Sequence, residues 1–187
     1  MHPSAPVTLS DGRILLRRPG PELVSQITAA CQDRALHRWL EALPDPYTEA
    51  DANEFVAHCA AGWASSTEMV FAVTSVTDGR LLGMVGLHDL SNLTAAGGGM
   101  AEIGFWTVEA ERGRGVITDA ARLVCRYGFT ELGLARIEWQ AEVGNQASLR
   151  VAQKVGFTLE GTCPARLLHV GSRVDGWLAG LLPGDLR

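Results

Sequence analysis

The sequence predicts a mixed α/β fold, a sheet-and-helix sandwich built as one domain spanning residues 1–187. Three observations carry this reading. Apolar spacing is helical between Pro21 and Trp63 and becomes strand-like from Glu68 onward. Beyond Met100, strand and helix patterns alternate, with glycines at the joints. At 187 residues, 47% apolar and 20% charged, the chain is long enough for a full core and short for two domains.

The elements follow in order. Val7 to Leu9 and Arg13 to Arg17 flank Ser10-Asp11-Gly12, a hairpin with a turn signal. Arg18-Pro19-Gly20-Pro21 breaks the strand, and Pro21 opens a helix that turns Leu23, Ile27 and Cys31 inward. After the proline-bounded loop Leu43-Pro44-Asp45-Pro46-Tyr47, Thr48 and Asp51 form a capping box. The helix behind it sets Phe55, Val56, Cys59, Ala60 and Trp63 on one face. Met69 to Val76 and Arg80 to Leu90 flank Asp78-Gly79, a second hairpin, and Ser91 to Gly99 leads into a third strand. A helix from Val116 to Leu132 stops at Gly133, and a strand runs from Leu134 to Val143. A short helix from Gln146 to Val155 stops at Gly156, and Phe157 to Val170 with Arg173 to Leu182 close the chain as a hairpin. Counting the first hairpin once, the order is β-α-α-β-β-β-α-β-α-β-β.

Composition narrows the function. A net charge of −5 argues against general nucleic-acid binding. Cys31, Cys59, Cys125 and Cys163 lie far apart with no C-x-x-C pair, which disfavours a zinc site and fits reduced thiols in a cytoplasmic protein. The opening MHPSAPVTLSDG lacks a basic region followed by an apolar run, so no signal peptide is expected. No apolar segment approaches the ~20 residues of a membrane span, and no membrane partner is expected.

The chain is organised around residues 100–120, MAEIGFWTVEAERGRGVITDA. Glu102, Gly104 and Trp106 share one strand face, with Ile103 and Phe105 on the other. Arg112-Gly113-Arg114-Gly115 then leaves backbone N–H groups uncovered at a helix start, which favours an anion such as a phosphate. The Walker pattern is absent, and Thr118 stands where a dinucleotide motif needs its third glycine. What remains is a pyrophosphate cradle of another kind, with Arg112 and Arg114 as added cations. A strand carrying a carboxylate beside such a cradle suggests an enzyme with a phosphorylated cosubstrate.

A second block, Asn145-Gln146-Ala147-Ser148-Leu149-Arg150 through Lys154-Val155-Gly156-Phe157, joins the first. Together they resemble the GCN5-related N-acetyltransferase (GNAT) superfamily, whose acetyl-CoA motif reads Q/R-x-x-G-x-G/A and whose next helix opens on N-x-x-S/A. Finer features resemble its RimJ/RimL branch of ribosomal-protein N-terminal acetyltransferases. These are Leu43-Pro44-Asp45-Pro46-Tyr47, Ala101-Glu102-Ile103-Gly104-Phe105-Trp106, Leu132-Gly133-Leu134-Ala135-Arg136-Ile137-Glu138 and Gly156-Phe157…Glu160-Gly161. The resemblance covers Arg13 to Leu182. It implies the acyl-CoA N-acyltransferase fold, with a mixed sheet, and acetyl-CoA as cosubstrate with no metal. One departure stands out. Ile117 occupies the motif's last small position, where it either crowds the pyrophosphate or points into the core.

The resemblance also assigns roles. Amide formation from a thioester needs a neutral amine, a polarised carbonyl and a protonated leaving thiolate; a free α-amine has a pKa near ~8 and a lysine near ~10.4. Glu102 is the candidate base, and its structural alternative is a strand-face glutamate paired with arginine or backbone N–H groups. A backbone N–H near Thr107 or Val108 is the expected carbonyl polariser. Arg112, Gly113, Arg114, Gly115, Val116, Ile117 and Thr118 form the expected cofactor turn, and Asn145 the contact to the pantetheine arm. No tyrosine follows Asn145, so Ser148 takes the acid position; its alternative is a first-turn helix residue satisfying backbone donors. Trp39, Tyr47, His88 and Trp106 are candidates for the amine pocket, or otherwise core. The implied activity is acetyl transfer by direct attack of a primary amine, either a protein N-terminus or a small molecule. A non-catalytic acyl-CoA-binding module, or a transferase of another acyl group such as succinyl, is the alternative. The exposed C-terminal strands leave homodimer pairing open.

Overall fold

The computed structural model describes residues 7–40 and 43–187; the leader reading of residues 1–6 lies outside them. Its eight strands form one sheet in the order β1-β2-β3-β4-β5-β6-β8-β7. They are β1 (Leu9–Ser10), β2 (Ile14–Arg17), β3 (Met69–Ser75), β4 (Leu81–Ser91), β5 (Gly99–Thr107), β6 (Leu134–Glu142), β7 (Thr158–His169) and β8 (Ser172–Leu181). Every neighbouring pair is antiparallel except β5 and β6, which are parallel. A parallel pair needs a crossover, and α4 (Val116–Thr130) supplies it.

Both faces of the central strands are covered, and the period-two pattern of β3 shows how. Met69, Phe71 and Val73 belong to the core under α4, while Val70 and Ala72 belong to the core under α1 (Val24–Ala30) and α3 (Glu49–Ser65). On the first side α4 turns Ala120, Ala121, Val124 and Cys125 onto the sheet, and α5 (Gln146–Val155) adds Leu149, Ala152 and Val155. On the second side Leu23, Ile27, Cys31 and Cys59 pack together, the inward set expected from spacing, with Phe55 and Val56 half-buried beside them.

Local signals bound α3 and α5 where they were expected, while α4 ends at Thr130, two residues short of the expected Leu132. Asp51 N–H donates to Thr48 Oγ1 at 3.3 Å and Thr48 N–H to Asp51 Oδ2 at 2.7 Å, closing the capping box. Gly156, at φ 120, stops α5. One element was not anticipated. Arg34–Trp39 forms a short helix, α2, whose N-cap Asp33 accepts from the Ala35 amide at 2.8 Å. Six residues give too few turns for a period to register.

Phe71 ties the first core together. It is fully buried and meets Trp63 edge-on at 4.9 Å and Tyr127 at 6.2 Å between ring centroids. Phe71→Ala is expected to lower stability by about 3–5 kcal/mol, read from urea denaturation; a loss well below that range would mean that the core refills the space.

Candidate active site

The site begins where the parallel pair ends. β5 and β6 pair from Gly99↔Leu134 to Glu102↔Glu138, with one register shift between Gly99 and Met100, and no further. β5 continues to Thr107 against β4, and β6 continues to Glu142 against β8. Each strand is held by its outer neighbour, so the two separate and a wedge opens between them. A cavity of about 540 Å³ fills the wedge. Residues 104–107 of β5 and 139–142 of β6 form its sides, the N-cap Asn145 with Ser148 and Val151 of α5 and Ile117 of α4 its inner wall, and α2 with the β7–β8 hairpin its mouth.

Ladder geometry says which amides face this space. The Val108 N–H donates to Leu82 O at 2.9 Å, so it is committed to β4 and not free for a substrate carbonyl. In an antiparallel ladder the hydrogen-bonding side alternates residue by residue. Thr107, which pairs with Gly83, therefore turns its N–H away from β4 and toward the wedge, as does Phe105. Of the two residues expected, Thr107 is the one whose amide faces the wedge.

The glycine turn sits at the edge of the same cavity. Gly115 is the N-cap of α4 at φ 81, with no side-chain cap, so the first-turn amides of α4 are left without a capping oxygen. Gly113 has φ 75, and a Cβ at either glycine would meet nothing within 4 Å. The glycines serve backbone conformation and leave open space above the amides. Arg112 lines the cavity and pairs with Asp33 at the start of α2, while Arg114 lies 3.5 Å from Glu111. Glu111 is itself buried and held by Arg80. Val116 is half-buried at the helix start, and Thr118 is buried one turn in. Ile117 is only 6% exposed and packs into the core, yet it also lines the cavity.

Glu102 stands at the apex of the wedge, on the last paired position. Gln140 Nε2 donates to its Oε2 at 2.6 Å. Burial pushes this carboxyl above its ordinary range, assisted by Asp89 and Glu138, against the opposing pull of the Gln140 hydrogen bond and His88. Its partner is thus an amide, not the arginine or backbone N–H of the structural alternative.

Ser148 also faces the cavity. Its Oγ accepts from the indole Nε1 of buried Trp139 at 3.1 Å, and its own amide donates to the N-cap Asn145 Oδ1 at 3.2 Å. With one lone pair taken by the indole, the hydroxyl proton remains available to an acceptor in the cavity.

The four aromatic candidates separate. Trp39 and Trp106 line the cavity. Tyr47 lies in the second core, with Cys31 and Cys59, and does not line it. His88 lies outside the lining too; its Nδ1 is 2.9 Å from Glu68 Oε2, and its ring rests over Gly86 and Gly104.

Three partners at the mouth were not foreseen. Arg38 of α2 reaches Glu142 with two bonds of 2.9 and 3.2 Å, and His169 Nδ1 lies 3.1 Å from the same carboxylate. Arg38 also stacks over Trp39, 4.2 Å from the ring centroid. This clasp joins α2, β6 and β7 across the entrance, and it holds the Glu142 carboxyl below its ordinary range. No group of three or more His, Cys, Asp or Glu side chains suited to a metal is found among the described residues. No helix among them is long and apolar enough to cross a membrane.

The site thus sets a splayed parallel pair beside an uncapped, glycine-led helix. Residues 13–158 match the family described as "Acetyltransferase (GNAT) domain", and the chain belongs to that family. A Bacillus subtilis relative named as ribosomal N-acetyltransferase YdaF is 42% identical over 84 residues, 45% of this chain and 44% of that protein. The spermidine N(1)-acetyltransferase of Escherichia coli is 30% identical over 84 residues, 45% of this chain and 43% of that protein. The matched part spans about half the length of these curated relatives. Mycobacterium smegmatis RimJ in complex with CoA-disulfide superposes with a TM-score of 0.87 over 100% of this chain and 92% of that one, at 21% identity, which speaks to the fold.

Proposed function

We propose that this chain is an acetyl-CoA-dependent N-acetyltransferase, with the wedge between β5 and β6 as its cosubstrate channel. The observation that carries this is the pairing that ends at Glu102↔Glu138 while both strands run on. Backbone groups along the open edges need partners. A cosubstrate arm bearing amides supplies them as an added strand would. The uncapped amides of α4, with Arg112 and Arg114 nearby, suit the pyrophosphate.

In this reading a neutral primary amine attacks the acetyl carbonyl, the new N–C bond forms and the C–S bond breaks. The Thr107 amide polarises the carbonyl. Glu102 takes the proton from the amine nitrogen, directly or through one water. Ser148 gives its hydroxyl hydrogen bond to the leaving sulfur. Trp39 and Trp106 wall the acceptor side. A protein N-terminal α-amine is the leading acceptor, supported by the name of the YdaF relative; the spermidine relative supports a small polyamine as the second reading. The free cysteines fit a cytoplasmic setting, and the charge of −5 fits a cationic acceptor rather than a nucleic acid.

Two variants test the assignment by thiol release from acetyl-CoA with a peptide and polyamine panel. Gly115→Val forces a side chain onto left-handed backbone and into the cradle, so the KM for acetyl-CoA rises about tenfold or more while that for the amine holds. Equal movement of both constants would make the turn merely structural. For Glu102 the sign follows from its raised proton affinity: the basic form is present above its midpoint and lost as pH falls through it. Glu102→Gln therefore abolishes the acidic limb of kcat/KM and lowers the plateau by about 100-fold. An unchanged pH–rate profile would remove Glu102 as base.

A further inference from the structure

The hydrogen bond on Glu102 is the inner end of a chain. Gln140 gives its Nε2 to Glu102 Oε2 at 2.6 Å, and its Oε1 accepts from Arg166 Nε at 2.5 Å. The two ends of an amide have similar shape and opposite chemistry, one donating and one accepting. A guanidinium has donors only, so it can face only the amide oxygen. With Arg166 in place, the NH₂ end of Gln140 must point at Glu102. A donor there favours the ionised carboxylate, whereas the amide oxygen there would favour the protonated acid.

Arg166 belongs to β7, the edge strand, with β8 between it and β6. The local structure is shaped to carry it across. Between Cys163↔Gly176 and Leu167↔Val174, β7 takes four residue steps where β8 takes two, a bulge that re-aims its side chains. Ala165 holds a left-handed φ of 52 there, with its N–H donating to Asp175 Oδ1 at 2.9 Å. Arg173 Nη1 donates to the Arg166 carbonyl at 3.0 Å. A Cβ on Gly176 would sit 2.9 Å from Leu167 Cγ and 3.7 Å from Arg166 Cβ, so glycine leaves the lane over β8 open.

We propose that Arg166 is a positioning residue for the transfer reaction: acting through Gln140, it locks the amide in the one orientation that donates to Glu102 and keeps that carboxylate aimed and ready to accept a proton. This rests on the reading of Glu102 as base. The other charged groups facing Glu102 are His88 and Asp89 from β4 and Glu138 from β6, with Glu68 engaging His88 and Arg136 engaging Glu138.

The test pairs pH–rate profiles with a ¹³C NMR titration of the Glu102 carboxyl, in the wild type, Arg166→Met, Arg166→Lys and Gln140→Leu. Arg166→Met frees the amide to turn, so the Glu102 midpoint moves to higher pH. On the acidic limb kcat/KM falls about tenfold, the size of one charge-assisted hydrogen bond exchanged, while the alkaline plateau stays within about twofold and the KM for acetyl-CoA holds. Arg166→Lys, which keeps a donor-only cation, restores most of the profile. In the Gln140→Leu background Arg166→Met has no further effect. An unmoved ¹³C midpoint in Arg166→Met overturns the proposal, even where Glu102→Gln still abolishes the acidic limb. A midpoint that moves while Glu102→Gln leaves the rate profile intact shows that Arg166 orients the amide, and overturns Glu102 as base and with it any part for Arg166 in the transfer.

Discussion

The structure depends on one frustrated pairing. β5 and β6 begin as parallel neighbours and are then drawn apart, because β4 holds one to Gly83↔Thr107 and β8 holds the other to Glu142↔Gly176. The antiparallel ladders outlast the short parallel one, which is the weaker type per residue. Separation leaves strand-edge amides facing a cavity, and an unpartnered buried amide costs about 1–3 kcal/mol. The cleft is therefore ready for a ligand that offers amide partners, and the site's other features are arranged along its length.

Position in the wedge accounts for the character of each group. Glu102, at the last paired residue, is buried enough for its proton affinity to rise yet still faces the open side. Thr107 lies farther along β5, with its amide turned inward by the same ladder that commits Val108 to Leu82. Across the gap, Trp139 fixes Ser148 and Gln140 fixes Glu102, so two consecutive residues of β6 serve opposite faces of the strand. At the mouth, Arg38 and His169 share Glu142, joining α2 and the β7–β8 hairpin to the sheet.

Much of this was legible in the sequence because the signals were local. The capping box at Thr48, the stop at Gly156 and the left-handed turn at Gly115 are fixed by residues within a few positions of each other. Strand alternation put Glu102 on a different face from Ile103, and the structure buries Ile103 in the first core. The unseen parts are long-range. Arg38 and Glu142 are 104 residues apart, and nothing near either names the other. Arg166 reaches Gln140 over 26 residues through a bulge at Ala165, a residue with no turn propensity to announce it. Tyr47 and Trp39 looked alike as aromatic pocket candidates; packing sent one to the core and the other to the cavity. The direction of the Val108 amide needed a register, which a single chain read in isolation does not supply.

The central claim is that the wedge itself receives the cosubstrate. A titration of CoA into ¹⁵N-labelled protein, followed by amide chemical shifts, tests it most directly. The account predicts saturable changes at residues 104–107 of β5, 139–145 across the gap, and 113–118 at the α4 start, with β1, β2 and α3 unmoved. Changes confined to the separate hollow between α1 and residues 108–110, with the wedge amides unmoved, would contradict it.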